Sequence, residues 1–367
     1  MFEDILGRSE IRTSIGSIRK QFAGKVVLVT GAAGSIGSEL CRQLAQLGVM
    51  ELILFDNAET PLHDLRLSLS DRYPTLKYFP IIGDVRFPDR LDYVFKKFRP
   101  QIVFHAAAYK HVPLMEENPC EGLLVNLCGT RHVAEKCLEY DVDTMVMIST
   151  DKAVNPTSIM GCTKRLAEMY VQGLGHEVEI GHTEHKTRFV TTRFGNVLGS
   201  NGSVVPLFNE LIRKGGPVTV THPEITRYFM TIPEACLLVM EAATITKGNE
   251  IVIFDMGNPI KILDLAKSMI RLAGKEPDVD IKIQFTGLRP GEKLYEEVLA
   301  SEENTLPTNH ERIRIARVRE TDYEEMKEAT EQMFRLASQV KITELVKLMK
   351  KIVPEYKSNN SIFEQLD

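Results

Sequence analysis

Residues 25–56 read KVVLVTGAAGSIGSELCRQLAQLGVMELILFD, and the rest of the chain can be interpreted outward from them. They open on a continuous apolar run, Val26 to Thr30, which is typical of a buried parallel strand. A glycine-rich turn follows, and the next segment carries apolar residues at helical spacing. A second apolar run then ends at Asp56. Strand, glycine turn, helix, strand and acid in this order form a mononucleotide-binding unit.

The glycine turn indicates the kind of ligand. Glycine lets the backbone approach a pyrophosphate closely, and the free N–H groups and dipole of the following helix favour its negative charge. Asp56 stands 19 residues after Gly37. A carboxylate there accepts hydrogen bonds from both ribose hydroxyls and repels a 2′-phosphate, so the unit predicts NAD rather than NADP. The glycine spacing is GxxGxxG, and the alternative is a purely structural turn. The predicted cofactor contacts in this unit are Gly31, Gly34, Ser35, Ile36, Gly37, Asp56 and Asn57.

Composition limits the classes of protein to consider. With 367 residues the chain is long for one small core, so two domains, or a large α/β domain with a lobe, are expected. The net charge is −5 with no basic field, which argues against nucleic acid. Six scattered cysteines without a CxxC pair predict reduced thiols in a cytoplasmic protein and no metal site. No apolar stretch approaches the ~20 residues that span a bilayer.

Two further strand ends carry small or polar residues. The run 77–82 ends at Gly83-Asp84-Val85. Asp84 has two open interpretations, a contact to the adenine amino group or a cap for the next helix. The fourth strand ends in HAAAYKH, residues 105–111. Its small residues let a flat ring come close, at the sheet edge where ligands bind. His105 is interpreted as structural, whereas Lys110 either reaches a ligand or is solvated. These ends add the cofactor contacts Asp84, Val85, Ala106, Ala107 and Ala108.

The fifth strand, 144–148, leads to Ser149-Thr150-Asp151-Lys152. Hydroxyl, carboxylate and amine thus follow one another at the carboxyl end of a strand, facing the predicted nicotinamide. A helix is predicted to begin near Ser158. Met160 and Lys164 lie four residues apart and therefore share a face of it.

A second ligand-binding segment is predicted near the C-terminus. In GLRPGEK, residues 287–293, a proline–glycine turn holds Arg289 and Glu292 close together. Arginine binds phosphate through its planar fork, and the glutamate can accept ribose hydroxyls. The alternative is a surface ion pair.

We therefore predict an α/β fold, a Rossmann-like doubly wound parallel sheet with a smaller C-terminal substrate-binding α/β lobe. Residues 1–24 are a lead-in, either a helix on the body or a linker. Residues 25–197 form the NAD-binding domain with segments returning from later in the chain, and 198–318 form mainly the substrate lobe. Residues 319–367 are C-terminal helices and a tail, with two amphipathic helices over 321–353 and a loose tail over 354–367.

Six motifs in order carry a resemblance to a known family: GAAGSIGSEL, HAAAYKHVPLME, STDKAVNPTSIMGCTKR, RFGNVLGSNGSVVPLF, TRYFMTI and GLRPGEKLYEE. Together they resemble the extended short-chain dehydrogenase/reductases, and within them the UDP-N-acetylglucosamine 4,6-dehydratases of bacterial polysaccharide and glycan biosynthesis. The resemblance covers roughly residues 4–350. The lead-in EDILGR also resembles the linker before the catalytic domain of large membrane-anchored members. The family resemblance implies a cytoplasmic catalytic part, which is either a natural short form or an excised domain. It also implies a homo-oligomer.

The resemblance implies a reaction in which NAD takes a hydride from sugar C4 and returns it to C6. Between these events a base removes the C5 proton while an acid protonates the departing C6 hydroxyl. By resemblance, Asp151 is the acid, Lys152 the base, Thr150 a partner of the C4 oxygen and Lys164 a partner of the nicotinamide ribose. We expect burial and nearby positive charge to lower the pKa of Lys152 so that it is neutral. The implied contacts to UDP-N-acetylglucosamine are Lys110, His111, Asn196, Ser203, Val204, Arg227, Arg289 and Glu292.

One position departs from the wider superfamily, which has a tyrosine where this chain has Met160. A thioether cannot take a proton, so the C4 hydroxyl proton leaves through Thr150 and water, or to Lys152. Some dehydratases also carry methionine here, and the resemblance is closest to the type that retains the C5 configuration. The alternatives are the C5-inverting dehydratase, a UDP-sugar 4-epimerase and a catalytically silent dinucleotide-binding sensor.

Overall fold

The computed structural model describes residues 15–297, 304–317 and 320–367. Most of the predicted lead-in, residues 1–14, lies outside these ranges. The remainder of it forms the helix Ile15–Phe22, whose Ile18 and Phe22 are buried. Of the two interpretations of the lead-in, a helix packed on the body therefore holds for this part.

A nine-stranded sheet forms the centre of the described part of the chain, in the order β14-β15-β11-β6-β5-β4-β1-β2-β3. Within this sheet, β11, β6, β5, β4, β1, β2 and β3 run parallel, and β15 and β14 are added antiparallel at one edge. The order of the sheet reverses between β1 and β4, which is the switch point of a doubly wound fold. The predicted fold class is confirmed. The strands are β1 Val26–Thr30, β2 Glu51–Asp56, β3 Tyr78–Ile82, β4 Ile102–His105, β5 Thr144–Ile148, β6 Arg188–Arg193, β7 Asn196–Leu198, β8 Val218–Val220, β9 Thr226–Arg227, β10 Phe229–Thr231, β11 Glu250–Phe254, β12 Ile260–Lys261, β13 Ile283–Phe285, β14 Asn304–Pro307 and β15 Ile313–Arg317.

Helices cover both faces of this sheet. Alternate residues of β1 belong to two separate apolar clusters: Val26 and Leu28 to one, Val27 and Val29 to the other. Burial on both faces explains why the strand is a continuous apolar run and not an alternating one. The remaining α-helices are Ser35–Gln46, Glu59–Arg72, Pro88–Phe98, Val112–Glu117, Pro119–Leu123, Thr130–Glu139, Ile159–Glu179, Val204–Arg213, Ile232–Ile245, Ile262–Leu272, Tyr323–Ser338 and Ile342–Ile352.

A third apolar cluster forms a smaller lobe. It is built on the paired strands β8 and β13 with the helices Val204–Arg213 and Ile262–Leu272. Strands β11, β14 and β15 fall within 198–318 but join the large sheet. They are returning segments of the kind expected, and the domain boundaries themselves stay a prediction.

The chain is helical from Pro119 to Glu139, and a π-helical turn, Leu124–Gly129, lies between its two α-helical parts. Its buried Asn126 accepts a hydrogen bond from the Tyr109 N–H at 2.8 Å and donates to the Thr163 hydroxyl at 3.0 Å. The amide thereby joins the end of β4 to the helix Ile159–Glu179, and π turns are frequent where a helix must present such a group.

The prediction of a loose tail over 354–367 is wrong. It closes with a 3-10 turn, Ile362–Leu366, and Tyr356 and Phe363 are buried. Within the described residues, none of the helices is long and apolar enough to cross a membrane.

Candidate active site

The glycine turn lies at the switch point, between β1 and the helix Ser35–Gln46. Gly31 has a φ of +67°, and a Cβ there would lie 2.5 Å from the backbone nitrogen of Ala107. A Cβ at Gly37 would lie 2.0 Å from the Gly31 carbonyl oxygen. These two glycines are therefore required by the packing of the turn itself. At Gly34 a Cβ would meet only the Gly31 carbonyl oxygen, at 3.3 Å. The helix begins beside Gly34 without a side-chain cap, so its first N–H groups remain for an anion.

Asp56 fixes this turn to the end of β2. Its Oδ2 accepts a hydrogen bond from the Ala33 N–H and its Oδ1 from the Ala58 N–H, both at 2.8 Å. Each carboxylate oxygen keeps a further lone pair for a ribose hydroxyl. Asp56 lines a cavity with the other residues predicted to contact the adenosine half: Gly31, Gly34, Asn57, Asp84, Val85, Ala106, Ala107 and Ala108. Asn201, which lies in the motif RFGNVLGSNGSVVPLF but is not among the predicted contacts, lines it too and donates its N–H to the Ser35 hydroxyl at 3.1 Å.

Asp84 does not cap the next helix, so that interpretation is wrong. The helix Pro88–Phe98 has Phe87 at its N-cap position. Asp84 instead accepts hydrogen bonds from the Arg86 guanidinium at 2.8 Å and from the Asn57 amide at 3.2 Å. Burial raises the pKa of the Asp84 carboxyl, but the hydrogen bonds from Arg86 and Asn57 outweigh burial and lower it. The contact to adenine stays a prediction.

His105 is structural, as the sequence suggested. Its ring is buried at the end of β4, with Nδ1 2.7 Å from the Thr30 hydroxyl and Nε2 2.9 Å from the Thr130 hydroxyl. Burial and then the nearby charge of Lys164 lower the pKa of His105 to about 3. The imidazole therefore joins β1, β4 and the helix Thr130–Glu139 as a neutral group.

This buried ring predicts acid sensitivity. Below pH ~6.5 the unfolded chain protonates His105 but the folded protein does not, so stability present above that pH is lost as pH falls toward about 3. From pH ~6.5 to pH ~5 the loss is about 2 kcal/mol at 1.36 kcal/mol per unit. Urea unfolding at the two pH values measures it. His105→Gln is expected to lack this part of the loss, and His182→Gln, whose side chain is 64% exposed, to retain it. Equal pH dependence in wild type and His105→Gln would contradict the assignment.

Thr150, Asp151 and Lys152 are brought together where β5 ends. The Thr150 hydroxyl donates to Asp151 Oδ1 at 2.9 Å, and Lys152 Nζ donates to the same oxygen at 3.0 Å. Lys152 Nζ also donates to Asn196 Oδ1 at 3.1 Å. Asp151 is fully buried, and its Oδ2 has no hydrogen-bond partner among the described residues. This oxygen is an acceptor or a proton carrier that the protein's own fold does not use.

The charges of this cluster differ from expectation in one respect. Burial lowers the pKa of Lys152, but the carboxylates of Asp151 and Glu296 outweigh burial and raise it. The predicted lowering of the Lys152 pKa is wrong for this state of the protein, because two buried carboxylates face the ammonium. For Asp151, burial raises the pKa and outweighs the opposing effect of Lys152. The direction of this change is the one that a general acid needs.

Met160 and Lys164 share one face of the helix Ile159–Glu179, as predicted. Both line a cavity that Thr150 and Lys152 also line. Met160 is 3% exposed and packs in the core of the large domain. Lys164 donates to the Ile148 carbonyl at 2.7 Å, and burial lowers the pKa of Lys164 to about 8. The cavity runs from the glycine turn, with Ser35, Ile36 and Gly37, past Ala106, Ala108, Thr150 and Lys152 to Lys110, His111, Asn196 and Ser203.

The residues predicted to hold the nucleotide meet at the other end of the site. Arg227 is buried, and its guanidinium lies 3.4 Å from Glu292 Oε1. Glu292 in turn accepts the Arg289 N–H at 3.0 Å, which closes the proline–glycine turn. The cavity here is lined by Lys110, His111, Lys152, Asn196, Arg227, Arg289, Glu292, Lys293 and Glu296. Val204 is the first residue of a helix and packs on the smaller lobe, with Ser203 as its N-cap residue.

Comparison with known proteins places this chain in a family. The sequence model of the family described as "Polysaccharide biosynthesis protein" matches residues 27–318. The chain belongs to this polysaccharide biosynthesis family. It is 51% identical over 302 residues to the capsular polysaccharide biosynthesis protein CapD of Staphylococcus aureus, which covers 82% of this chain and 49% of CapD. It is 49% identical, with the same coverage, to the probable polysaccharide biosynthesis protein EpsC of Bacillus subtilis (strain 168). The chain thus spans about half the length of these curated relatives.

Solved structures resemble this family member over most of its length. The X-ray structure of Pen from Bacillus thuringiensis has a TM-score of 0.72 and 34% identity, covering 80% of this chain and 86% of Pen. The UDP-glucose 4-epimerase of Thermus thermophilus, solved in complex with NAD, has a TM-score of 0.61 and 25% identity. It covers 75% of this chain and 90% of the epimerase. Both agree with the Rossmann-like architecture.

Sequence reasoning missed one charged residue of the site in this polysaccharide biosynthesis protein. Glu296 is buried, with Oε1 3.4 Å from Lys152 Nζ and 3.6 Å from Arg227 Nε. It lies four residues after Glu292 in the motif GLRPGEKLYEE. In the sequence, a glutamate in such a charged run is indistinguishable from a solvated one until the fold buries it.

The C-terminal tail of this family member also reaches the site. The Asn359 carbonyl accepts the Gly291 N–H, and the Asn359 amide donates to the Glu292 carbonyl, both at 2.7 Å. The Ser361 hydroxyl donates to Glu116 at 2.6 Å, and Glu116 accepts the Ile159 N–H at 2.7 Å. The tail therefore ties the proline–glycine turn to the start of the helix that carries Met160 and Lys164.

Proposed function

We propose that this protein catalyses the 4,6-dehydration of UDP-N-acetylglucosamine to a UDP-2-acetamido-2,6-dideoxy-4-keto-hexose, with NAD as bound cofactor and with the C5 configuration retained. The observation that carries the proposal is the buried pair Asp151–Lys152, with nitrogen and oxygen 3.0 Å apart, between a dinucleotide-type cavity and an arginine-lined one. Elimination of water needs an acid and a base on one face of the sugar, and this pair supplies both. Membership of the polysaccharide biosynthesis family supports a nucleotide-sugar substrate.

The residues at the switch point fit NAD. The uncapped helix N-terminus beside Gly34 suits a pyrophosphate, and the Asp56 carboxylate, 9% exposed at the end of β2, suits ribose hydroxyls and disfavours a 2′-phosphate. The structural neighbour from Thermus thermophilus, whose structure contains NAD, supports the same cofactor. When bound, the nicotinamide would take a hydride from sugar C4 and return it at C6.

The side chains supply the proton transfers. The Thr150 hydroxyl would hold the C4 oxygen, whose proton would leave through Thr150 to water as the 4-ketone forms. Neutral Lys152 would then take the C5 proton that the ketone makes acidic, and it would return a proton to C5 when the hydride reaches C6. Protonated Asp151 would give its proton to the C6 hydroxyl, so that the C6–O bond breaks and water leaves. Arg227 and Arg289 would hold the diphosphate, because a guanidinium fork matches phosphate oxygens. Since turnover needs Lys152 neutral and Asp151 protonated at the same time, the rate is expected to have a bell-shaped dependence on pH.

A UDP-sugar 4-epimerase is the second candidate, because the Thermus thermophilus neighbour carries that name. Two features disfavour it. Met160 cannot exchange a proton with the C4 hydroxyl, and epimerisation at C4 has no need of an acid–base pair for elimination.

Proton NMR of the protein with UDP-N-acetylglucosamine in heavy water, without added reductant, tests the proposal. Dehydration gives a new C6 methyl signal with solvent deuterium at C5, and the C5 coupling pattern reports the configuration. A 4-epimer without a methyl signal would identify an epimerase. An unchanged spectrum of protein that binds NAD, with UDP-N-acetylglucosamine and other UDP-sugars alike, would refute the dehydratase proposal.

A further inference from the structure

Glu296 joins the two halves of the site through charge. Its side chain is 2% exposed, and Oε1 lies within 4 Å of both the Lys152 ammonium and the Arg227 guanidinium. A carboxylate that is buried to this extent is stable only where cations or hydrogen bonds compensate it. Glu296 is thus tied at once to the proposed base and to a proposed diphosphate ligand.

The second oxygen of Glu296 has no structural use. Oε2 is buried and has no hydrogen-bond partner among the described residues, although Glu296 lines the cavity. An unsatisfied buried carboxylate oxygen costs stability, and such groups are found where function requires them. The position of Glu296 is therefore better explained by its effect on Lys152 and Arg227 than by a contribution to folding.

Charged groups from several elements of the fold face Lys152. Asp151 faces it from the turn after β5, Glu296 from the segment after β13, and Arg227 from β9. Burial raises the pKa of Glu296, but the positive charges of Lys152, Arg227 and Lys293 outweigh burial and lower it. The other titratable residues of this cavity are Lys110, His111, Arg289 and Glu292. Three cations, Lys152, Arg227 and Lys293, thus favour the charged form of Glu296.

We propose that Glu296 is a positioning residue, which clamps the Lys152 ammonium against Asp151 and keeps it charged in the substrate-free protein. Two carboxylates then share one ammonium, one from the turn after β5 and one from the segment that binds the nucleotide. The segment that binds the nucleotide through Arg289 and Glu292 thereby also sets the charge of the proposed base. The role of Lys152 as a base rests on the proposed function, whereas the effect of Glu296 on the charge of Lys152 does not.

A titration of Lys152 tests the clamp without turnover. Protein labelled with 13C at the lysine Cε is titrated by NMR through the alkaline range in which it stays folded, and the Lys152 signal is assigned by its absence from Lys152→Met. In Glu296→Gln the Lys152 pKa is expected to fall by about one unit or more, since one of the two carboxylates loses its charge. Glu297→Gln is the matched control, because Glu297 is exposed and pairs with Lys293 at 3.2 Å. It should leave Lys152 unchanged.

A Lys152 pKa in Glu296→Gln within about 0.3 unit of wild type would overturn the proposal. Glu296→Asp is a second variant in case the first does not fold. It keeps the charge but withdraws it by one carbon, so a smaller fall is expected, and no fall would again overturn the clamp. A protein that shows the shift but does not dehydrate any UDP-sugar would refute the proposed function and leave the clamp standing.

Discussion

Asp151→Asn and Lys152→Met are each expected to reduce the rate of dehydration by about 10² to 10⁴-fold, the range that one general acid or base contributes. Asparagine keeps the shape of the buried side chain but cannot release a proton to the C6 hydroxyl. Methionine keeps much of the length of Lys152 but cannot take the C5 proton. Because Asp151 and Lys152 lie past the pyrophosphate turn, affinity for NAD, measured by calorimetry, should remain within about twofold of wild type.

The controls are the same chemical changes at exposed positions. Asp71→Asn and Lys347→Met alter residues on the solvent side of two helices, and both should dehydrate at the wild-type rate. The methyl signal of the product gives the rate for all four variants. If Asp151→Asn or Lys152→Met keeps a rate within about fivefold of wild type, the assignment of that residue as acid or base is wrong.

Glu168→Gln is expected to destabilise the fold by about 3–5 kcal/mol, the cost of removing one partner from a buried ion pair. Glu168 is fully buried in the helix Ile159–Glu179, and its carboxylate accepts two hydrogen bonds from the buried Arg193 guanidinium, at 2.9 and 2.7 Å. It also accepts the Ser149 hydroxyl at 2.6 Å. The variant removes the negative charge on which the guanidinium at the end of β6 depends.

Urea unfolding measures this loss, and a thermal shift on the order of 10 °C should accompany it. The matched control is Glu355→Gln. Glu355 pairs with Arg165 at 3.2 Å but is 34% exposed, so its loss should cost less than about 1 kcal/mol. The double variant Glu168→Gln/Arg193→Met removes both charges and should recover part of the lost stability. Equal effects of Glu168→Gln and Glu355→Gln would contradict the buried pair. Since Ser149 precedes Thr150, the same pair also holds the start of the proposed catalytic segment.

Much of the fold could be predicted because parallel strands buried on both faces leave a local signature. The predicted fifth strand, 144–148, agrees with the structure residue for residue. The switch point follows from the glycine turn and Asp56, whose spacing reflects one strand–helix–strand unit. The candidate residues after β4 and β5 could be named because strand ends of a parallel sheet meet at one edge.

The two predictions that failed here concern contacts between distant parts of the chain. The tail was predicted to be loose from its polarity, but Asn359 and Ser361 satisfy backbone and carboxylate groups far away in sequence. The direction of the Lys152 pKa failed because the sequence does not show that Glu296 lies 3.4 Å away. Charge in a buried cluster is set by every group within a few ångströms, and most of those groups are remote along the chain.

Hydrophobic periodicity and strand-end residues are local properties, so the sheet, the dinucleotide-type turn and the acid–amine pair could be predicted from the sequence alone. The packed fold was needed to show which carboxylates share Lys152 and that the C-terminal tail fastens the proline–glycine turn. These outcomes depend on burial and on distances between residues up to 245 positions apart. Packing fixes such distances, and no local pattern in the chain encodes them.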